Sequence, residues 1–167
     1  MSKFKEQLKM IEEALLKPMS DERAKELDDE KIKIRIDEIK KRSTLNEDGS
    51  YDIEGSVDLS EMNLTELPMK FGKVNGNFDC HDNELTTLKG SPNEVTGDVD
   101  YFNTRLTSLI GGPKIVGKDF NCFLNQLKSL EGSPIKVGGD FDCAYNKTEF
   151  TNTDVIAVCN VKGNIHV

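Results

Sequence analysis

The apolar residues between positions 57 and 150 recur with a fixed spacing of 21 residues. The phrase that begins at Phe78 has apolar residues at its first and third positions, Asn at its sixth, and Leu at its eighth and eleventh. Copies of this phrase begin at Val57, Phe78, Val99, Phe120 and Phe141. A fixed period of this length is typical of stacked repeats, in which each coil buries its apolar side against its neighbours.

The alternation inside each phrase predicts a short strand. If the first apolar residue is position 0, then positions 0 and +2 face the interior, and positions −1, +1 and +3 face solvent. The Asn at +5 is expected to bond the backbone of neighbouring coils, while the Pro and Gly residues that recur later in the repeat shape the return of the chain. We therefore predict an α/β repeat protein, a short solenoid of about five 21-residue repeats with parallel strands on its concave face.

The segments that flank the repeats differ from them in pattern. Residues 1–43 are predicted to form a helical N-terminal cap, with one helix over 3–17 and a second from an N-cap at Ser20 to about Lys41. Residues 31–36 alternate with period two, which leaves a strand open as the alternative there. A partner-binding role is the alternative for this head. Residues 44–167 form the solenoid, with a hairpin around the turn at 46–49.

The end of the chain departs from the repeat. A C-terminal cap is predicted from about residue 144, with a short helix over 153–158 and a final strand near His166. For the edge of that strand the pattern leaves two alternatives open: Lys162 and His166 protect it, or it is open and pairs in a homodimer.

Charge is distributed unevenly along the chain. Residues 1–43 carry 12 Lys and Arg against 11 Asp and Glu, whereas residues 44–167 carry 10 against 19. An acidic solenoid argues against direct nucleic-acid binding, which needs positive charge over phosphates. No apolar run is long enough to span a membrane, and the N-terminus lacks the apolar core of a signal peptide. We expect a cytoplasmic protein.

The residue types give little support to catalysis or to a cofactor. Three of the four cysteines, Cys80, Cys122 and Cys143, occupy position +2, which predicts an apolar core role for them. Cysteine pairs with zinc-ligand spacing are absent from the sequence, and disulfides are not expected in a reducing compartment. His81 lies between acidic residues and is interpreted as a surface histidine. We expect neither enzymatic activity nor a cofactor.

The order apolar-x-(Cys/Leu)-x-x-Asn-x-Leu-x-x-Leu resembles that of a leucine-rich repeat. The sequence of residues 44–167, including Leu64-Thr65-Glu66-Leu67-Pro68 after the turn, resembles the sequences of small leucine-rich-repeat proteins of large tailed bacteriophages. That family is mostly without assigned function. The resemblance implies a phage origin and a location in the host cytoplasm.

The candidate site consists of residues at the outward positions −1, +1 and +3. It comprises Asp58, Asp79, His81, Asp98, Asp100, Phe102, Asp119, Asn121, Phe123, Asp140 and Asp142. Carboxylates with two phenylalanine anchors predict a docking surface for a basic protein partner. We expect a non-enzymatic phage protein that modulates or inhibits a host protein, such as a defence component or a nucleic-acid-handling enzyme. The alternatives are a merely solvated face, weak divalent-cation binding, and a virion-associated or assembly protein that self-associates.

Overall fold

The computed structural model describes residues 21–167, which wind into a solenoid of two stacked sheets. The predicted helix over 3–17 and the predicted N-cap at Ser20 lie outside these residues. The elements, in chain order, are α1 (Asp21–Lys40), β1 (Ser43–Leu45), β2 (Tyr51–Glu54), β3 (Val57–Asp58), β4 (Phe71–Asn75), β5 (Phe78–Asp79), β6 (Glu94–Val95), β7 (Val99–Asp100), β8 (Ile115–Val116), β9 (Phe120–Asn121), β10 (Lys136–Val137), β11 (Phe141–Asp142), α2 (Asn152–Val158), β12 (Asn160–Val161) and β13 (Ile165–His166).

The first sheet contains the strands that begin each repeat phrase, in the order β13-β11-β9-β7-β5-β3. All of its pairs are parallel, and their register follows the 21-residue period, as in Val57 opposite Phe78 and Phe78 opposite Val99. The last pair joins Phe141 to Ile165, because three extra residues lie between these two coils. The predicted solenoid with parallel strands at this spacing is therefore confirmed.

The return of each coil carries a second strand, which the sequence did not predict. These strands form a second sheet in the order β1-β2-β4-β6-β8-β10-β12, parallel except for the β1–β2 hairpin. The valines at position +17, such as Val95 and Val116, are fully buried and lie opposite one another in this sheet. The recurring Pro and Gly residues predicted only that the chain turns back in each coil. The buried valines stabilise this returning segment as a strand.

Helix α1 resolves the ambiguity at residues 31–36, where the alternative strand is wrong. Its buried residues are Ile36 and Ile39, three positions apart, whereas Ile34 is 56% exposed. Only the helical period puts one side of this segment against the core. The helix also bonds the first coil, since the Nδ2 atom of Asn63 donates to Asp28 at 3.0 Å.

Neither helix in residues 21–167 has the length and apolar content needed to cross a bilayer.

The two predicted local features at the ends of the solenoid are confirmed. Residues Ser43–Leu45 and Tyr51–Glu54 form the antiparallel hairpin around the turn. Helix α2 begins with a capping box, in which Thr151 and Asp154 each bond the other's backbone N–H. This reciprocal bonding satisfies two N–H groups that a helix start leaves without partners.

The core is one continuous cluster that runs along the solenoid axis. Its aromatic rings contact one another from coil to coil, from Phe71 through Phe78, Tyr101 and Phe120 to Phe141. The four cysteines are buried free thiols, as the position +2 pattern predicted for three of them. Burial raises the pKa of these thiols and makes them poor nucleophiles.

Candidate functional site

The −1 positions of the first sheet form a hydrogen-bonded ladder between coils. The side-chain oxygen of each residue accepts a bond from the backbone N–H at the same position of the next coil. Asn77 Oδ1 accepts from Asp98 at 3.0 Å, Asp98 Oδ1 from Asp119 at 3.1 Å, and Asp119 Oδ1 from Asp140 at 2.8 Å. Asp140 Oδ1 accepts from Asn164, and this bond holds the pKa of Asp140 below its ordinary value.

The +1 positions use their side chains within their own coil. Each Oδ1 accepts a bond from the backbone N–H two residues later, which is an Asx turn. The donors to Asp58, Asp79, Asp100, Asn121 and Asp142 are Ser60, His81, Phe102, Phe123 and Ala144, respectively. These bonds explain how a row of aspartates is accommodated at the ends of short strands, where aspartate is otherwise unfavourable.

The two rows border a shallow depression of about 350 Å³ on the first sheet. Its polar lining comprises Asp98, Asp100, Asp119, Asn121, Asp140, Asp142 and His166. We call this lining the aspartate depression. Within the part of the chain that the structure describes, neither lysine nor arginine lines it. Burial raises the pKa of Asp100, and the charge of Asp79 adds to this effect. The depression thus holds carboxylates close together without lysine or arginine among them, and His166 Nε2 lies 3.7 Å from Asp140 Oδ2.

Three aromatic rings lie beside the depression, in the coils that begin at Val99, Phe120 and Phe141; Phe102 and Phe123 are half-buried, and Tyr145 is exposed. Phe102 and Phe123 are stacked with their ring centroids 5.7 Å apart, and Phe123 contacts Tyr145 at 4.9 Å. The side chain of Tyr145 is 75% exposed, and the neighbouring Leu124 is 42% exposed. We call Phe102, Phe123, Leu124 and Tyr145 the aromatic strip.

The alternation of the repeat did not predict Tyr145 and Leu124, which occupy position +4, as surface residues. Strict alternation assigns +4 to the interior side, but these two residues adopt left-handed backbone conformations with φ of 55°. The left-handed turn ends the strand and directs the +4 side chain outward. The sequence did carry one signal for this. Position +4 is occupied by the polar residues Glu61, Asp82 and Asn103 in the other coils, which is typical of a surface position.

His81 lies on the same face, toward the first coil. Its Nδ1 atom lies 2.7 Å from Asp79 Oδ1, and its Nε2 atom lies 3.8 Å from Asp82 Oδ2 and 3.9 Å from Glu61 Oε1. Burial alone lowers the pKa of His81, but the bond to Asp79 and the charges of Asp79, Asp100 and Asp82 outweigh it. The pKa of His81 is therefore raised, which favours an imidazolium ion among these carboxylates.

Replacement of His81 by Gln should destabilise the protein more at about pH 5.5 than at about pH 9. Because the folded-state pKa of His81 is raised, its stabilising contribution is fully present below the unfolded pKa of about 6.5 and is lost as pH rises through the folded pKa. Urea unfolding of both proteins at the two pH values measures the difference. An equal difference at both values would contradict a stabilising imidazolium.

Two overlapping sets of side chains could hold a divalent cation. In each set, three potential ligand atoms lie within 4.8 Å of one another: Glu61, His81 and Asp82 in one, and Asp79, His81 and Asp100 in the other. Imidazole and carboxylate together suit several divalent metals. Both sets depend on His81, whose Nδ1 already contacts Asp79.

The structure brings most of the candidate residues into one region. Asp98, Asp100, Asp119, Asn121, Asp140 and Asp142 line the depression, and Phe102 and Phe123 lie next to it. Asp58, Asp79 and His81 continue the same rows toward the first coil. All eleven candidate residues are exposed or half-buried. The candidate site therefore occupies one continuous face of the first sheet.

Comparison with protein-family models finds no match to this chain, and comparisons with curated proteins and with solved structures find none either. The class of the protein is accordingly defined by its fold, a parallel β-solenoid with a 21-residue repeat and an N-terminal helix.

Proposed function

We propose that this β-solenoid is a non-enzymatic protein-interaction module of the leucine-rich-repeat type, which binds a basic surface of a partner protein through the aspartate depression. The observation that carries this proposal is a surplus of charge. The side-chain bonds of the −1 and +1 rows need only an acceptor oxygen. Asn77 and Asn121 supply that oxygen without charge, with bond lengths of 3.0 and 2.9 Å.

Five of the six −1 and +1 positions in the coils that begin at Val99, Phe120 and Phe141 nevertheless carry aspartate. Each carboxylate bonds the backbone through one oxygen and also carries a negative charge, shared by both oxygens, that the ladder does not require. Neighbouring strands lie about 4.8 Å apart, and like charges at that distance repel by about 1 kcal/mol even in water. A cationic partner converts this repulsion into attraction and raises the association rate.

The proposal also concerns which kind of protein the partner is. The resemblance to phage leucine-rich-repeat proteins favours a host protein as the partner, acting in the host cytoplasm. Modulation of that protein would follow from occupation of its basic site. Self-association is the second candidate, because β13 is one of the two edge strands of the first sheet in the described part of the chain and could pair with another copy.

The test removes negative charge from the depression while it keeps every side-chain oxygen that accepts a backbone hydrogen bond. The variant D98N/D100N/D119N/D142N should retain the fold and lose at least about tenfold in affinity for a labelled octapeptide of alternating Lys and Arg. Fluorescence anisotropy at about 50 mM and about 300 mM salt measures the affinity, which should fall with salt in the wild-type protein.

The matched control is E26Q/E47Q/E66Q/E131Q, which changes the net charge equally at exposed positions outside the depression. Its affinity should stay near that of the wild type. If both quadruple variants lose affinity equally, binding follows net charge and the proposal fails. If the aspartate variant binds as the wild type does, the depression is not the binding surface. Analytical ultracentrifugation of the same proteins separates self-association, which would appear as a concentration-dependent dimer without peptide.

A further inference from the structure

We infer that the element of the partner that occupies this face is a basic amphipathic α-helix of about three turns, lying along the stacking direction of the coils. Its apolar side contacts the aromatic strip, and its cationic side lies over the aspartate depression. This inference rests on the proposed function and specifies the chemistry and conformation of the partner.

The first step is a match of periods. The rings of the strip lie 5.7 Å apart between Phe102 and Phe123, and 4.9 Å apart between Phe123 and Tyr145. An α-helix advances about 5.4 Å per turn, so apolar residues spaced three or four apart meet one ring after another. An extended strand in the same direction repeats its side chains at about 6.6–6.8 Å. Its side chains would drift out of register by more than 1 Å at each coil.

The second step is the width of the face. The strip lies at positions +3 and +4, and the depression lies at −1 and +1 of the same coils. The adjacent rows, +1 of the depression and +3 of the strip, are two residues apart, which is about 6.6–6.8 Å along a strand, whereas a helix with its side chains is about 10–12 Å wide. One helix therefore reaches the strip and the +1 row of the depression. The long stems of Lys and Arg permit apolar contact while their charged ends meet the carboxylates.

The third step is the length of the face. The strip and the aspartates of the depression lie on the same three coils, those that begin at Val99, Phe120 and Phe141, and only His166 of the depression belongs to the next coil. Toward the first coil, position +3 changes to His81 and Ser60, so the apolar row ends there. Three coils with one helical turn each correspond to a helix of about 11 residues.

The experiment compares three labelled peptides of about 14 residues and identical net charge. The first places Leu at helical spacing with Lys and Arg along one side. The second has the same composition in strict alternation, which favours a strand. The third is the helical peptide with a central Pro, which breaks the helix. We expect the first to bind the full chain at least about tenfold more tightly than the others and to gain helical circular dichroism on binding.

Variants of the strip locate the contact. F123A/Y145A should weaken binding of the helical peptide by about tenfold or more, since both side chains belong to the aromatic strip. The matched control I115A/I135A removes two exposed apolar side chains from the second sheet and its flank, 37% and 61% exposed, and should not change affinity. Thermal unfolding of each variant shows that the fold is retained.

The outcomes separate this inference from the proposal on which it rests. If all three peptides bind the wild-type protein equally, and all bind D98N/D100N/D119N/D142N more weakly than the wild type, the helix inference fails while the basic-partner proposal stands. If peptide affinity does not respond to the aspartate variant, the proposed function itself fails. If the helical peptide binds best but F123A/Y145A leaves it unchanged, the strip is not its docking surface and the inference is overturned.

Discussion

Replacement of Asn83 by Ala should lower the free energy of unfolding by about 3 kcal/mol or more. The side chain is 5% exposed and joins two coils. Its Oδ1 atom accepts bonds from the backbone N–H groups of Met62 and Leu64, at 3.2 and 2.8 Å. Its Nδ2 atom donates to the carbonyl oxygens of Leu59 at 2.8 Å and Cys80 at 2.9 Å.

Alanine removes these partners together and leaves buried backbone groups without hydrogen bonds. Each such group costs about 1–3 kcal/mol, and total stability is typically only about 5–15 kcal/mol. Urea unfolding followed by circular dichroism measures the loss. The matched control is Asn160→Ala, an exposed asparagine for which a change within about 0.5 kcal/mol is expected. Equal losses in the two variants would show that Asn83 does not hold the coils together.

Replacement of Phe120 by Ala should cost about 3–5 kcal/mol. The ring is 1% exposed and lies in the middle of the core. It contacts Tyr101 in an edge arrangement with centroids 6.1 Å apart and Phe141 at 5.1 Å. Its loss opens a cavity between two coils, and the parallel strands on either side limit how far those coils can collapse into it.

The control for Phe120 lies three residues later in the same coil. Phe123→Ala removes the same side chain from a half-buried position in the strip, so its effect on stability should stay well below that of Phe120→Ala. Its expected effect is on peptide affinity instead. Thermal unfolding and peptide binding, measured for both variants, should therefore give opposite orders of severity. If Phe123→Ala destabilises the protein as much as Phe120→Ala does, the strip is part of the core and is not a free surface.

The roles of the aspartates illustrate how far residue patterns predict this site. Alternation correctly places Asp98 and Asp100 on the outer side of the first sheet, because successive side chains of a strand point to opposite sides. The pattern treats them as free, however, and each Oδ1 is in fact bonded to a backbone N–H. The partners of Asp98 lie 21 residues away, and the distance between coils is not visible in a local pattern. This distinction matters because Asn can replace Asp in the ladder but cannot replace its charge.

The aromatic strip was predicted only in part, for a related reason. Phe102 and Phe123 follow from alternation, whereas Tyr145 follows from a left-handed turn at position +4. Alternation holds only while the backbone remains extended, so it fails at the residue that ends the strand. Residues 31–36 show the opposite case, in which a local alternation is present and the helix forms instead. There, burial of Ile36 and Ile39 against the first coil decides the conformation.

The amino-acid sequence by itself determined the repeat, the buried positions and the parallel pairing. Those features depend on apolar residues at a constant spacing, and a chain with that spacing can bury them only by stacking its coils. The tertiary structure alone decided the second sheet, the ladder of side-chain bonds and the meeting of the strip with the aspartate depression. These depend on which atoms lie opposite one another in neighbouring coils, a distance of about 4.8 Å in space that corresponds to 21 residues along the chain.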